Sequence, residues 1–313
     1  MSKSAPAIDK RRHWSWTGTI FALVAAALWG LTPVATKIAL DGFSPELLGV
    51  LRLALAALLF RLMAGSRGRW FVADPWAWVA GIALALDFIL YNYGVQRTAA
   101  NVAGLVINIE LISTIAFAVW LLGERLTFHR VLGSIVTLGG VVVVTMEGMR
   151  LSDFIDAHRM LGNILVMSAA VAWSLYAVAQ RRVRYGSNLF EQLTPIFSVA
   201  ALATVFTVFR REAWTVSRDI KPILMFLILV LLGTNLVYWI YARAQQLVDM
   251  TILSIMLATI PVFAVLFAYV FLSEPVTARL IIGGVIIVAG ISVTAMEPAK
   301  NATQKAQETQ KRS

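Results

Sequence analysis

Long apolar runs separated by short polar segments dominate the chain between residues 17 and 297. A helix that crosses a membrane needs about 20 mostly apolar residues. The connections between the runs are short and turn-like, for example DGFSPE and RYGSN, so a second soluble domain is not expected. The pattern predicts an all-α integral membrane protein with ten transmembrane helices, at about residues 17–38, 46–64, 75–94, 100–122, 130–147, 161–181, 190–209, 222–243, 250–272 and 279–297.

The composition supports a membrane protein. The chain is 59% hydrophobic and only 14% charged, whereas a soluble protein carries about 25% charged residues. A net charge of +10 would suggest nucleic acid as the partner of a soluble chain. Here most basic residues lie between apolar runs, so membrane topology and lipid headgroups are the simpler explanation. We therefore expect the lipid bilayer, and not nucleic acid, as a partner.

The distribution of Lys and Arg predicts the orientation. If both termini are cytoplasmic, the inside segments hold 17 Lys and Arg residues and the outside loops hold nine. We expect a multi-pass protein of the cytoplasmic (inner) membrane with both termini inside, although the loop between spans seven and eight opposes the bias. The first run is too long for a signal-peptide core, so we expect it to be retained. The flanking segments are a cytoplasmic tail (1–16), a periplasmic connecting loop (148–160) and a disordered cytoplasmic tail (298–313).

The two halves of the chain, 17–147 and 161–297, resemble each other. Six residues from Ala25 to Ala35 recur 144 positions later, and VWLLGERL parallels YVFLSEPV at an offset of 150. Glu124 then matches Glu274. Because each unit holds five spans, an odd number, the second copy must cross the membrane in the opposite sense. Inverted repeats are typical of secondary transporters, which bind substrate near the midplane between the halves.

The segments ALWGLTPVATKIAL, LLGVLRLALAALL and VWLLGERLTFHRVLGSIVTLGGVVVV resemble an EamA domain of the drug/metabolite transporter (DMT) superfamily, and the second half repeats the pattern. The resemblance covers about residues 17–297. It implies a ten-helix transporter of the cytoplasmic membrane, usually an exporter of small metabolites or drugs. Two features depart from the pattern. The fourth span lacks the helix-kinking proline that the ninth span has, and Glu110 precedes that position; Ser174 replaces the glycine found at Gly30.

Ionisable residues inside the spans are candidates for function, because a charge at mid-bilayer costs about 2.5–3.5 kcal/mol on insertion scales. Asp87 and Glu110 are candidates for binding and releasing the protons of an antiport. Arg52 is a candidate counter-ion for the substrate or for a carboxyl group of the protein. Two alternatives stay open: the carboxyl groups pair with Arg52 and only fix helix packing, or Arg52 extends to the outer interface. Lys37 and Arg181, near span ends, are expected to extend to the interface.

Aromatic and amide side chains in the spans are candidates for lining a cavity, since aromatic rings stack on flat solutes and attract cations. Ordinary helix packing is the alternative. The glycine and proline near the middle of the first span predict a kink, and hence a helix that bends as access alternates. The predicted substrate-binding or gating residues are Trp29, Thr32, Pro33, Tyr91, Asn108, Trp173, Tyr176, Asn235, Tyr238 and Trp239.

Several chemistries have no matching motif. The sequence contains no phosphate-binding loop, no H-E-x-x-H and no cysteine, and its three histidines fall in predicted tails or loops. We therefore expect no cofactor, no metal site and no enzyme activity. Glycines seven apart in the fifth and tenth spans predict a scaffold or a dimer surface, so the chain is expected to be a monomer or a homodimer.

The predicted function is secondary transport of a small organic metabolite, such as an amino acid, by alternating access. Export is the favoured direction, and proton coupling is left open. The alternatives are import of a vitamin-like or other metabolite on the same fold, or a polytopic membrane enzyme.

Overall fold

A computed structural model of the chain describes residues 15–95, 97–98, 106–146, 157–209, 219–272 and 277–296. These residues are helical apart from short connections, which confirms the all-α class. We number the helices so that α8 includes a π-helical segment and α9 has two parts. They are α1 (Trp16–Ala39), α2 (Pro45–Met63), α3 (Pro75–Val95), α4 (Ile109–Leu122), α5 (Phe128–Thr145), α6 (Ala157–Arg182), α7 (Leu189–Thr204), α8 (Ile220–Leu247), α9a (Met250–Leu257), α9b (Ile260–Leu272) and α10 (Ala278–Ala295).

The helices begin where a side chain can satisfy the first free backbone N–H groups. Ser15, Ser44 and Asn188 accept hydrogen bonds from backbone N–H groups in the first turns of α1, α2 and α7. Thr127 and Thr277, 150 positions apart, do the same for α5 and α10. The repeat is therefore visible in its helix caps as well as in its apolar residues.

Among the described residues, six helices are long and apolar enough to cross a membrane. Three shorter apolar segments accompany them: Trp16–Thr32, Ile109–Leu122 and Met250–Ala264. The six long helices are Pro75–Gly94, Phe128–Thr145, Met160–Arg182, Leu189–Phe209, Ile220–Leu247 and Ala278–Ala295.

The repeats are inverted relative to each other, and α5 and α10 show this most directly. Gly133, near the start of α5, meets Gly290 and Thr294, near the end of α10. Gly140, further along α5, meets Gly283. The two helices therefore run antiparallel, although they are equivalent in the repeat. The glycine stripes lie inside this pair, so they act as scaffold within one chain.

The first helix of each repeat packs against the other repeat. Helix α1 packs on α8 and α9, and its counterpart α6 packs on α3 and α4. Helices α2 and α7 pack against each other, as equivalent helices do across a two-fold axis. We name the two ends of the bundle by α1, as the Trp16 end and the Ala39 end. The exchange of α1 and α6 therefore ties the two repeats together.

The fourth and ninth helices are interrupted at equivalent positions. A turn at 107–108 precedes α4, and a turn at 258–259 separates α9a from α9b; the turns are 151 residues apart, within one residue of the repeat offset. The fourth span was predicted as one run from residue 100, without the kink that proline produces in the ninth. The structure has the interruption in both, so Pro261 does not cause it alone. Each interruption places a helix start within the bundle, and carbonyl oxygens of the turn accept hydrogen bonds from its first backbone N–H groups: Ile107 from Glu110, and Thr259 from Val262.

Candidate functional site

The predicted ionisable residues lie at similar depth in the bundle. At 1.5 Å per residue, Asp87 and Glu110 are about 18 Å from the Trp16 end of their helices, and Arg52 is about 16 Å from it. The hydrocarbon core of a bilayer is about 30 Å thick. All three residues are therefore near the middle of the membrane, although they come from three different helices.

Arg52 connects the two repeats. Its guanidinium donates hydrogen bonds to the hydroxyl of Thr234 (Nε and Nη2, both 3.2 Å) and to the carbonyl oxygen of Gly233 (3.4 Å). Both acceptors belong to the π-helical segment of α8, Leu231–Leu236. The guanidinium also lies 5.2 Å from the ring centre of Phe88. Arg52 is thus directed across the bundle, and the extension toward the outer interface considered from the sequence does not occur.

Asp87 and Glu110 form no hydrogen bond or ion pair with any side chain that the structure describes. Asp87 nevertheless lies within electrostatic range of Arg52, Glu110 and Tyr238. Both carboxyl groups are partly exposed inside the bundle. The described contacts therefore include no ion pair between Arg52 and either carboxyl group, which was the packing alternative considered from the sequence.

A group of five rings lies beside these carboxyl groups. The ring of Trp29 is 5.8 Å from Trp173, 5.5 Å from Tyr238 and 5.3 Å from Tyr241, measured between ring centres. Tyr176 is 5.7 Å from Tyr238, and its buried hydroxyl has no hydrogen-bond partner among the described residues. The rings come from α1, α6 and α8, so they join both repeats. We call Trp29, Trp173, Tyr176, Tyr238 and Tyr241 the aromatic cluster.

Four other predicted residues lie outside the aromatic cluster, although Tyr91 is within electrostatic range of Asp87 and Arg52. Asn235, in the π-helical segment, donates to the carbonyl oxygen of Ala56 at 3.2 Å, and its own side-chain oxygen has no partner in the described part of the chain. Asn108 lies at the interruption before α4, and Tyr91 is exposed. Trp239 faces away from the aromatic cluster, with its ring stacked on Phe190 at 6.0 Å.

Hydroxyl groups fix the start of α4 against α6. Ser174 is 2.7 Å from the hydroxyl of Ser113, accepts from that of Thr114 at 2.9 Å, and donates to the carbonyl oxygen of Glu110 at 3.2 Å. The equivalent contact in the other repeat has no hydroxyl group. There Gly30 meets Phe263 and Ala264 so closely that a Cβ atom would lie 2.7 Å from the Cβ atom of Phe263. The equivalent helix contacts thus differ: one repeat uses hydroxyl hydrogen bonds, and the other uses close packing at a glycine.

Helix α1 continues through Pro33, and Thr32 explains part of this. Proline has no N–H group, so the carbonyl oxygen four residues earlier, on Trp29, loses its helical donor. The hydroxyl of Thr32 donates to that oxygen at 2.6 Å. Thr32 therefore has a structural role beside the gating role that the sequence suggested. The side chain of Pro33 lies outside the described residues, as do those of Val34 and Lys37.

We expect Thr32→Val to destabilise the protein by about 1–3 kcal/mol, because it leaves the Trp29 carbonyl unsatisfied. Thr32→Ser keeps the hydroxyl and should retain most of the stability. The measurement is the unfolding midpoint of each variant in one detergent. Equal midpoints for the Val variant and the parent would contradict this role of Thr32.

A small open cleft lies between α2, α3 and α7, on the Ala39 side of Arg52. Its lining includes Glu46, Asn92 and Thr207, as well as Phe88, the ring beside Arg52. Within the described ranges, no group of three or more His, Asp or Glu side chains is placed to hold a metal ion. The site thus combines two carboxyl groups, one arginine and a group of aromatic rings.

The family model described as the EamA-like transporter family matches residues 16–146 and 160–296. The two matches cover the first five and the last five helices. The chain belongs to the EamA-like transporter family. It is therefore a multi-pass membrane transporter, and not an enzyme, and the resemblance found in the sequence is confirmed.

Two known proteins are similar to this EamA-like transporter over most of its length. An "Uncharacterized transporter" of Haemophilus influenzae (strain ATCC 51907 / DSM 11121 / KW20 / Rd) is 24% identical over 260 residues, which span 81% of this chain and 83% of the relative. One solved structure, a "Crystal structure of protein", is 25% identical with a TM-score of 0.75, and the match covers 89% of this chain and 96% of that one. The shared architecture thus extends over nearly the whole bundle.

Sequence reasoning missed two groups of residues in this EamA-like transporter. Tyr241 belongs to the aromatic cluster, and its spacing of three residues from Tyr238 was the available signal. The second group is an ion-pair network at the Trp16 end, formed by Glu124, Arg130, Arg181 and Asp249, which we call the charge cluster. Arg181 was expected to extend to the lipid interface. It pairs with Glu124 instead, because α4 brings that carboxylate next to the last turn of α6.

Proposed function

We propose that the protein exports a small organic metabolite, an amino acid or a related compound, across the cytoplasmic membrane by alternating access in exchange for protons. The observation behind the proposal is the pair Asp87 and Glu110. These two carboxyl groups lie at mid-depth between the repeats, and neither is bound to a described basic residue. A carboxyl group at this depth can carry a proton in one access state and release it in the other.

The same carboxyl groups and the aromatic cluster support a substrate with an amino group. An ammonium group can pair with a carboxylate, and aromatic faces attract cations. Arg52 offers one positive charge nearby, so each charged group of a zwitterion such as an amino acid has a complementary group at the same depth.

The experiment is uptake into everted membrane vesicles with an imposed pH gradient, using a panel of radiolabelled amino acids, amines and vitamins. We expect gradient-dependent accumulation of a compound with an amino group. Accumulation only in right-side-out vesicles would show import. If no compound of the panel is taken up against its gradient, the proposal is wrong.

We further propose that the Trp16 end faces the cytoplasm, on the basis of the Lys and Arg distribution. Helix α6 separates residue 153, outside the described ranges, from Asn188. A reporter fused at Asp153 is expected to be active in the periplasm, and one fused at Asn188 only in the cytoplasm. A shared compartment for both reporters would contradict the ten-span topology, and reversed compartments would contradict the orientation alone.

A further inference from the structure

The charge cluster closes the Trp16 end with two acids and two bases. Glu124 lies in the connection between α4 and α5, and Arg130 lies in the first turn of α5. Arg181 and Asp249 lie at the end of α6 and just before α9a. Their side chains are 8%, 5%, 13% and 18% exposed, respectively. A cluster so nearly buried must be balanced in charge, since an uncompensated buried charge is strongly destabilising.

The shortest ion pairs of the charge cluster connect the two repeats. Arg130 of the first repeat is 2.7 Å from Asp249 of the second, and Arg181 of the second is 3.4 Å from Glu124 of the first. The pairs within one repeat are longer: Arg130–Glu124 and Arg181–Asp249 are both 4.0 Å. Each repeat therefore contributes one acid and one base, so the acid and base of one repeat can also neutralise each other.

Glu124 also caps a helix of the opposite repeat. Its carboxylate accepts hydrogen bonds from the backbone N–H of Met250 (2.6 Å) and Thr251 (3.0 Å) and from the hydroxyl of Thr251 (2.8 Å). Asp249 occupies the N-cap position of α9a, yet its side chain makes no capping hydrogen bond. Aspartate is among the best N-cap residues. The local cap is thus available but unused while Glu124 is in place.

We propose that the charge cluster is a two-state latch that determines whether the Trp16 end of the pathway is open. In the closed state the ion pairs run between repeats, and Glu124 caps α9a. On opening, Arg130 pairs with Glu124 and Arg181 pairs with Asp249, whose carboxylate also becomes free to cap its own helix. No charge is left without a partner in either state, which keeps the two states close enough in free energy to exchange.

The inference rests on the proposed alternating access, but its test needs neither a substrate nor a proton gradient. The chain has no cysteine, so one can be introduced as a reporter. Ala177 is fully buried and lies four residues from both Trp173 and Arg181, between the aromatic cluster and the charge cluster. We propose Ala177→Cys as the reporter of opening and Ser66→Cys, in an exposed turn, as the reporter of the accessible face.

The experiment measures the labelling rate of each cysteine by a membrane-impermeant maleimide, added in turn to each face of vesicles. In the Ala177→Cys background, we expect Glu124→Gln to raise the rate at least about tenfold, because the closed state loses both the Glu124–Arg181 ion pair and the charged cap of α9a, whereas the open state loses only the Glu124–Arg130 pair. The maleimide should label Ala177→Cys from the same face of the membrane from which it labels Ser66→Cys. Asp249→Asn, which keeps a good N-cap residue but removes the charge, should act in the same direction.

Glu191→Gln is the matched control. Glu191 is 4% exposed at the same end, but its carboxylate bonds only Ser187 and Asn188 of its own connection among the described residues. Its replacement should leave the labelling rate of Ala177→Cys unchanged. An equal increase in this control, or an unchanged rate in both Glu124→Gln and Asp249→Asn, would overturn the latch. Failure of the vesicle uptake assay alone would count against the proposed transport function and not against the latch.

Discussion

Replacement of Asp87 by Asn, or of Glu110 by Gln, is expected to abolish proton-driven transport while the protein inserts and folds normally. Both changes keep the size and polarity of the side chain but remove a group that can bind and release a proton. Each pH unit of gradient corresponds to about 1.4 kcal/mol per coupled proton, or about a factor of ten. With an imposed gradient of two units, accumulation driven by one proton should fall from as much as about 100-fold to none.

A second readout separates coupling from binding. Exchange of labelled for unlabelled substrate needs no net proton movement, so a variant that has lost only coupling should still catalyse exchange. Asp41→Asn, in an exposed turn at the Ala39 end, is the control and should transport like the parent. If the Asp87 and Glu110 variants both retain gradient-driven accumulation, proton coupling through these residues is wrong.

Replacement of Gly140 by Val is expected to destabilise the protein severely. A Cβ atom at Gly140 would lie 2.7 Å from the carbonyl oxygen of Gly283 and from the backbone nitrogen of Ile287. These are backbone atoms, which cannot move aside without separating α5 from α10. Overpacking of this kind costs about 1–3 kcal/mol or more. The unfolding midpoint in detergent and the yield of folded protein are the measurements.

The neighbouring residue provides the control for that prediction. Gly139 has no atom within 4 Å of the position its Cβ atom would take. Gly139→Val carries the same change in helix propensity on the same helix, and should alter the stability by less than about 0.5 kcal/mol. Equal destabilisation by the two changes would indicate that helix propensity, and not the α5–α10 contact, explains the glycines.

Features that repeat along the chain were predictable from the sequence. The apolar runs predicted ten spans, and the matches at offsets of 144 and 150 predicted their inversion. The glycines of α5 and α10 left a choice between scaffold and dimer surface, because spacing does not show which helix faces which. The antiparallel α5–α10 pair places them inside one chain.

Features that depend on a distant partner were not predictable. Arg52 donates a hydrogen bond to Thr234, 182 residues away. Thr234 lies in a π-helical segment that no local sequence pattern predicted. The interruption before α4 has no proline to mark it. Arg181 looked like an interfacial residue because Glu124, its partner, is 57 positions away in the other repeat. In each case the missing information was which helices adjoin.

The unequal contacts of α1 and α6 have a thermodynamic consequence. In a transporter with two identical inverted repeats, the two access states would be related by symmetry and equally populated. Ser174 fixes α6 to α4 with directional hydrogen bonds, whereas Gly30 lets α1 rest on α9b through apolar contact alone. The energy needed to shift α6 therefore differs from that for α1. Under the alternating access that we propose, the two access states therefore differ in free energy, and one of them is more populated at rest.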